Sequence, residues 1–194
     1  MDNTISKNVT IGNQVWMTRN LDVSTFRNGE PIPEARTDVE WEKAREERSP
    51  SWCYYENDDV FNGVKYGKLY NWYAVSDPRG LAPKGWHIPN DQEWAVLTNY
   101  LGGEEEAGAK MKSKHGWPLG DNGTNSSNFL GLQGGRRSSI GEFSDLLWGG
   151  FLWSSTGELI SGGSANFLYL AYNGPAFKFD SLKGVGMSVR CLRD

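Results

Sequence analysis

Trp153-Ser154-Ser155-Thr156, then Ala165-Asn166-Phe167-Leu168-Tyr169-Leu170-Ala171-Tyr172, then Ala176-Phe177-Lys178-Phe179-Asp180-Ser181-Leu182, and finally Gly186-Met187-Ser188-Val189-Arg190-Cys191 decide how this chain is read. An Asn173-Gly174 step divides the two alternating segments, as expected of a tight hairpin turn. The polar residues among the aromatic ones follow no catalytic spacing. The stretch reads as a rigid frame displaying a surface.

Working outward, 194 residues suit one domain with one sizeable core. The expected organisation is a tail over residues 1–8 and a single domain over 9–194. Hydrophobic residues make up 38%, and 9 Trp, 8 Tyr and 8 Phe supply so much of it that the core should be aromatic. The 24 Gly and 8 Pro argue for short strands and turns, against a mainly helical fold. A net charge of −4, with Lys and Arg dispersed, gives little support for nucleic-acid binding. No run of 18 apolar residues occurs, so membrane insertion is not expected. Met1-Asp2-Asn3-Thr4 lacks the basic, then apolar, character of an export signal. Cys53 and Cys191 are too few to imply a disulfide framework.

Ile11-Gly12-Asn13-Gln14-Val15-Trp16 reads as an opening hairpin. Thr37 and Glu40 have capping-box spacing ahead of Trp41 and Ala44, which predicts a short helix ended by Pro50. Asn90 and Glu93 repeat that spacing ahead of Trp94, Leu97 and Leu101, with Gly102-Gly103 as the stop. A third helix should begin near Glu104, where acidic residues suit its positive end and Lys110, Lys112 and Lys114 its negative end. Residues 116–128 read as a loop too polar for the core, with strands beyond. The class is α+β: two or three short helices in the first half and a mainly antiparallel sheet concentrated in the second.

Ile11-Gly12-Asn13-Gln14-Val15-Trp16-Met17, Tyr66-Gly67-Lys68-Leu69-Tyr70-Asn71-Trp72-Tyr73-Ala74-Val75 and Gly80-Leu81-Ala82-Pro83-Lys84-Gly85-Trp86-His87-Ile88-Pro89 carry a resemblance. With Glu93-Trp94, Leu101-Gly102-Gly103, Trp153-Ser154-Ser155-Thr156 and Ser188-Val189-Arg190-Cys191, the chain resembles the Fibrobacter succinogenes major paralogous domain family from Val9 to Asp194. The resemblance implies a C-type lectin-like fold, shared with formylglycine-generating enzymes, and a place on a cell surface or a virion. Some members are variable proteins of diversity-generating retroelements. In that pattern Trp153, Ala165, Leu170, Phe177, Lys183, Gly186 and Arg190 would be scaffold, while the positions between them vary. Met187 stands where Phe is usual, and Leu168 where Arg is frequent.

Both alternating rows of the hairpin are apolar, so periodicity does not choose which faces inward. The family frame implies Leu168, Leu170 and Tyr172 inward. Phe167, Tyr169 and Ala171 then face outward with Asn173, Lys178, Asp180 and Ser181, as a binding patch for a protein or glycan. Ordinary packing beneath the loop before Ser164 and a self-association face are the alternatives. Leu159 and Ile160, an apolar pair in a Gly-rich loop, either join that patch or fold back onto the domain.

No catalytic residue, metal or cofactor is expected. Cys191 shares the inward face of Met187 and Val189, and a redox site would need Cys53 to reach it in an open pocket. His87 and His115 lack companions at metal-ligand spacing, and His87 reads as a framework residue. Ser154-Ser155 has no evident base. Asn57-Asp58-Asp59 and Asp121-Asn122 could offer oxygen ligands to calcium, but capping and loop solvation account for them. The expected function is non-enzymatic ligand binding. A structural module packing on another domain or subunit is the alternative, and a cysteine-dependent oxidase a distant one.

Overall fold

The computed structural model describes residues 7–118, 123–157, 163–172 and 174–194. In its first half the chain forms strands β1 (Asn8–Ile11) and β2 (Gln14–Met17), helix α1 (Asp38–Glu46) and strand β3 (Trp52–Cys53). A one-turn helix α2 (Val64–Tyr66), β4 (Leu69–Tyr70), α3 (Trp72–Val75), β5 (Trp86–His87), α4 (Asp91–Tyr100) and α5 (Glu104–Met111) follow. The second half contributes β6 (Gly134–Arg137), β7 (Phe143–Leu146), β8 (Gly149–Gly157), β9 (Ser164–Ala171), β10 (Ala176–Leu182) and β11 (Leu192–Arg193). The strand pairs are antiparallel, and the fold is α+β.

Local sequence explains the helix starts. The Glu40 amide donates to Thr37 Oγ1 at 3.2 Å while the Thr37 amide donates to the Glu40 carboxylate at 2.9 Å. Asn90 and Glu93 form the same reciprocal pair at 3.0 and 2.8 Å. Each box satisfies amides that the first helical turn leaves without partners. Gly12, at φ 61°, makes the β1–β2 turn in a conformation that costs glycine nothing.

Two sheets organise the molecule. The first runs β1-β2-β11-β5, so the last strand lies between the opening hairpin and β5. The second runs β10-β9-β8 and is apolar on both faces. Trp153 and Phe167 point into one cluster with Tyr70, Met187, Val189 and Cys191. Leu152, Leu168 and Leu170 point into another with Trp16, Trp94, Leu97 and Phe129. In that second cluster the Trp16 and Trp94 rings stack at 4.7 Å. A smaller cluster under α1 holds Trp41, Cys53, Tyr55 and Leu69. The core is aromatic, as the composition requires.

Buried cations tie distant segments together. Arg190 is fully buried, and its guanidinium donates to the Asn20 side chain at 2.8 Å and to the carbonyls of Met17 at 3.0 Å and Phe129 at 2.5 Å. Burial without an ion pair pulls its pKa down to about 9. Arg137, also sealed, donates to Ala35 O at 2.7 Å and to Asp38 at 3.0 Å. Lys112 corrects a simpler reading: besides ending α5, its ammonium donates to Tyr172 O at 2.8 Å and to Ala171 O at 3.2 Å. The loop after α5 is less polar in role than in composition. Trp117 from it is buried.

Candidate binding face

The sheet β10-β9-β8 brings the C-terminal side chains into rows. Phe179 lies opposite Phe167, which lies opposite Trp153; Phe177 lies opposite Tyr169, which lies opposite Phe151. Opposed residues share a face, so these six rings form one aromatic surface. Neighbouring rings touch: Phe151 stacks on Tyr169 at 4.9 Å, and Phe179 lies 6.2 Å from Phe167 and 5.9 Å from Phe177. Burial falls across the sheet, from 0% exposure at Trp153 through 6% at Phe167 to 52% at Phe179. Aromatic packing therefore begins in the core and ends in solvent.

This arrangement corrects part of the sequence reading. Phe167 and Ala171 are buried, because β9 is the central strand and a hydrophobic cluster covers each of its faces. Tyr169 is half-buried, and burial raises its phenol pKa. Leu168 and Leu170 do face inward, on the opposite side, with Tyr172 packed partly against the same cluster. Lys178 and Asp180 are exposed, as expected, but alternation places them on the face opposite Phe167 and Tyr169. Ser181 is partly exposed on the aromatic face. Asn173, Leu159 and Ile160 lie outside the described residues. On this face Phe179 is exposed and Phe177 partly exposed beside it; the sequence reading had passed over the first and treated the second as frame.

On the opposite face, Asp91 gathers partners that spacing alone did not connect. Ser154 Oγ donates to Asp91 Oδ1 at 2.7 Å, Asn166 Nδ2 donates to Oδ2 at 2.6 Å, and Lys178 Nζ lies 3.0 Å from Oδ2. The Asp91 amide donates to Thr156 Oγ1 at 3.0 Å. Burial opposes ionisation of Asp91, but the bonds from Ser154, Lys178 and Asn166 prevail and hold its pKa below the ordinary value. One strong cue was available: Asp91 follows an N-cap, where a carboxylate favours the helix dipole. Its reach to three strands of the sheet was not readable.

His87 occupies a bridging position. Its Nδ1 is 2.8 Å from Asp194 Oδ1 and its Nε2 is 2.8 Å from Glu93 Oε1. Partial burial works against the charged ring, yet the bonds to Asp194 and Glu93 outweigh it and raise the pKa. A depression of about 340 Å³ beside it is lined by Arg27, His87, Asn90, Glu93 and Ser155. Arg27 donates to the carbonyls of Ala82 and Trp86, both at 3.0 Å. His87 and Asn90 are engaged with Glu93, and Arg27 with backbone carbonyls.

Cys53 and Cys191 are buried, belong to different clusters, and have thiols pushed up to about 12 by burial. Such thiols stay protonated near neutrality. Ser154 donates to a carboxylate, and both ring nitrogens of His87 are taken by Asp194 and Glu93. Among the described residues, no three His, Cys, Asp or Glu side chains converge as metal ligands. Asp58 Oδ1 accepts from the amides of Val60 and Phe61, both at 3.0 Å, which is a capping role. Asp121 and Asn122 lie outside the described residues. No helix among those residues is long and apolar enough to cross a membrane.

A family model described as "Fibrobacter succinogenes major domain" matches residues 9–193. No curated protein and no solved structure matches.

Proposed function

Since the chain belongs to the Fibrobacter succinogenes major domain family, we propose that it is a non-enzymatic binding domain whose recognition surface is the open side of the C-terminal hairpin. Tyr169, Phe177 and Phe179 are its anchors, and Ser181 extends it. The observation that carries this reading is the graded row Trp153, Phe167, Phe179. Its inner rings fix the backbone and its outer ring is free to contact a partner, so binding loses little to ordering. Tyr and Phe offer large contact area with few rotatable bonds. The expected ligand is a protein or a glycan.

The finer reading is a C-type lectin-like variable protein of a diversity-generating retroelement, displayed as a receptor, adhesin or phage tip. Burial of Trp153, Ala165, Leu170, Lys183, Gly186 and Arg190 supports it, since a diversified surface needs a frame that does not change. The buried, protonated thiols count against a cysteine-dependent oxidase.

Glycan arrays and displayed bacterial surface proteins, probed with the wild-type domain and with F177S/F179S, test the binding reading. A probe that binds wild type and is lost in the double variant, at unchanged melting temperature, supports it. Binding indifferent to both substitutions refutes this face as the site. For diversification, the 3′ end of the gene is compared with neighbouring DNA: an adenine-rich near-copy beside a reverse-transcriptase frame is expected, and absence of both removes that claim alone.

A further inference from the structure

β10 is the outer strand of its sheet, with no strand on its far side among the described residues; α5 packs near its buried Ala176 end and leaves Lys178, Asp180 and Leu182 exposed. Its backbone polarity can be assigned residue by residue. The Ala171 amide donates to Pro175 O at 3.3 Å and the Lys183 amide to Gly163 O at 3.0 Å. The register between these bonds is unbroken. In an antiparallel pair every second residue bonds across the ladder, so Phe177, Phe179 and Ser181 turn their amides and carbonyls toward β9. Lys178, Asp180 and Leu182 therefore turn theirs outward. All three are exposed.

An open row of donors and acceptors is a template for another strand, and charged residues on it restrict what can pair. Here charge favours one arrangement, the register that both avoids like charges and pairs opposite ones. Antiparallel self-pairing centred on Lys178 sets that lysine against itself, and pairing centred on Asp180 sets two carboxylates together. Centring on Phe179 does neither. It places Lys178 of each copy opposite Asp180 of the other, twice, with two Phe179 rings meeting on the aromatic face. Opposite charges directly across a ladder stabilise it and like charges oppose it. The outward backbone groups also match, since Lys178 and Asp180 are both residues with free amides and carbonyls.

We infer that β10 is a self-complementary edge through which two copies of this chain join, antiparallel and centred on Phe179, into one six-stranded sheet. Four backbone hydrogen bonds form at its centre, between Lys178 and Asp180 of the two copies. Lys178 keeps its contact with Asp91, because an ammonium carries three donors. The inference does not rest on the binding proposal, which uses the face of the sheet and not its edge. Pairing would nonetheless double the aromatic face. A single strand pair buries less than the area of a standard stable interface, so the dimer is weak and concentration-dependent.

Sedimentation equilibrium of the intact chain reads the mass. A shift from 21.7 kDa toward twice that value is expected within about the 10 µM to 1 mM range. Asp180→Lys sets lysines opposite each other twice and should stay monomeric. Asp180→Pro removes an outward amide and the carboxylate but no bond to β9, and should also stay monomeric while melting as a folded protein. Mixing Asp180→Lys with Lys178→Glu restores both charge pairs and should yield a heterodimer. In the wild type, amide exchange at Lys178 and Asp180 should slow as concentration rises, while Phe177 and Phe179 stay unchanged. That last measurement needs no variant. A wild type monomeric to about 1 mM overturns the inference. So does a dimer that both Asp180 variants retain, or exchange at Lys178 and Asp180 independent of concentration.

Discussion

Lys178 Nζ lies 3.0 Å from Asp91 Oδ2, which fastens the outermost strand of the hairpin to the first turn of α4. Asp91 is 15% exposed and Lys178 53%, so the ion pair is partly screened and the shared hydrogen bonds of Ser154 and Asn166 matter more. Asp91→Asn keeps an acceptor and should cost about 1 kcal/mol. Asp91→Ala leaves Ser154 and Asn166 without their acceptor and should cost about 2–3 kcal/mol. Urea unfolding of both variants, with m unchanged, measures the difference.

Phe167 and Phe179 face each other in adjacent strands, yet one is sealed and the other half in water. Phe167→Ala should lose about 3–5 kcal/mol through the cavity it opens. Phe179→Ala should lose less than about 1 kcal/mol. Equal losses in thermal melts would mean the outer ring is core and not display.

These two rings also mark where sequence reading stopped. Thr37–Glu40 and Asn90–Glu93 announced their helices because capping is local chemistry. The opening hairpin was legible for the same reason. The face of β9 was not, because Phe167 and Tyr169 are as apolar as Leu168 and Leu170, and only long-range packing reveals that both sides are covered. Asp91 looked like a helix start and nothing more, since Ser154, Asn166 and Lys178 lie more than sixty residues away. Lys178 and Asp180 were correctly seen as exposed, on the wrong side of the sheet.

His87 should impose a pH dependence on stability. Its folded pKa is raised above 6.5, so its contribution is complete below that value and is lost as pH rises through the folded pKa. Melting temperature should therefore fall as pH rises from about 6.5 through the folded pKa. His87→Gln should flatten that segment of the curve. A slope that survives the substitution assigns the titration elsewhere.

Arg190 ties two chain segments together, one through Met17 O and the Asn20 side chain and the other through the carbonyls of Phe129 and Leu130, with no carboxylate among its named partners. Arg190→Lys shortens the reach and removes the planar fork, so several carbonyls lose their donor. A loss of about 3 kcal/mol or more is expected, and Arg190→Met should lose at least as much because no donor remains. Denaturant midpoints rank the two.

Because β11 is wedged between β2 and β5, a strand that leaves the ribosome well after its two neighbours supplies the middle of a sheet whose first members were made long before. The opening hairpin and β5 must wait, unjoined, through most of synthesis. Closing contacts so distant in sequence is slow, and the waiting strands expose apolar edges meanwhile. Nascent chains stalled short of Leu192 should be protease-sensitive and dependent on chaperones, and completion should convert them together and not strand by strand.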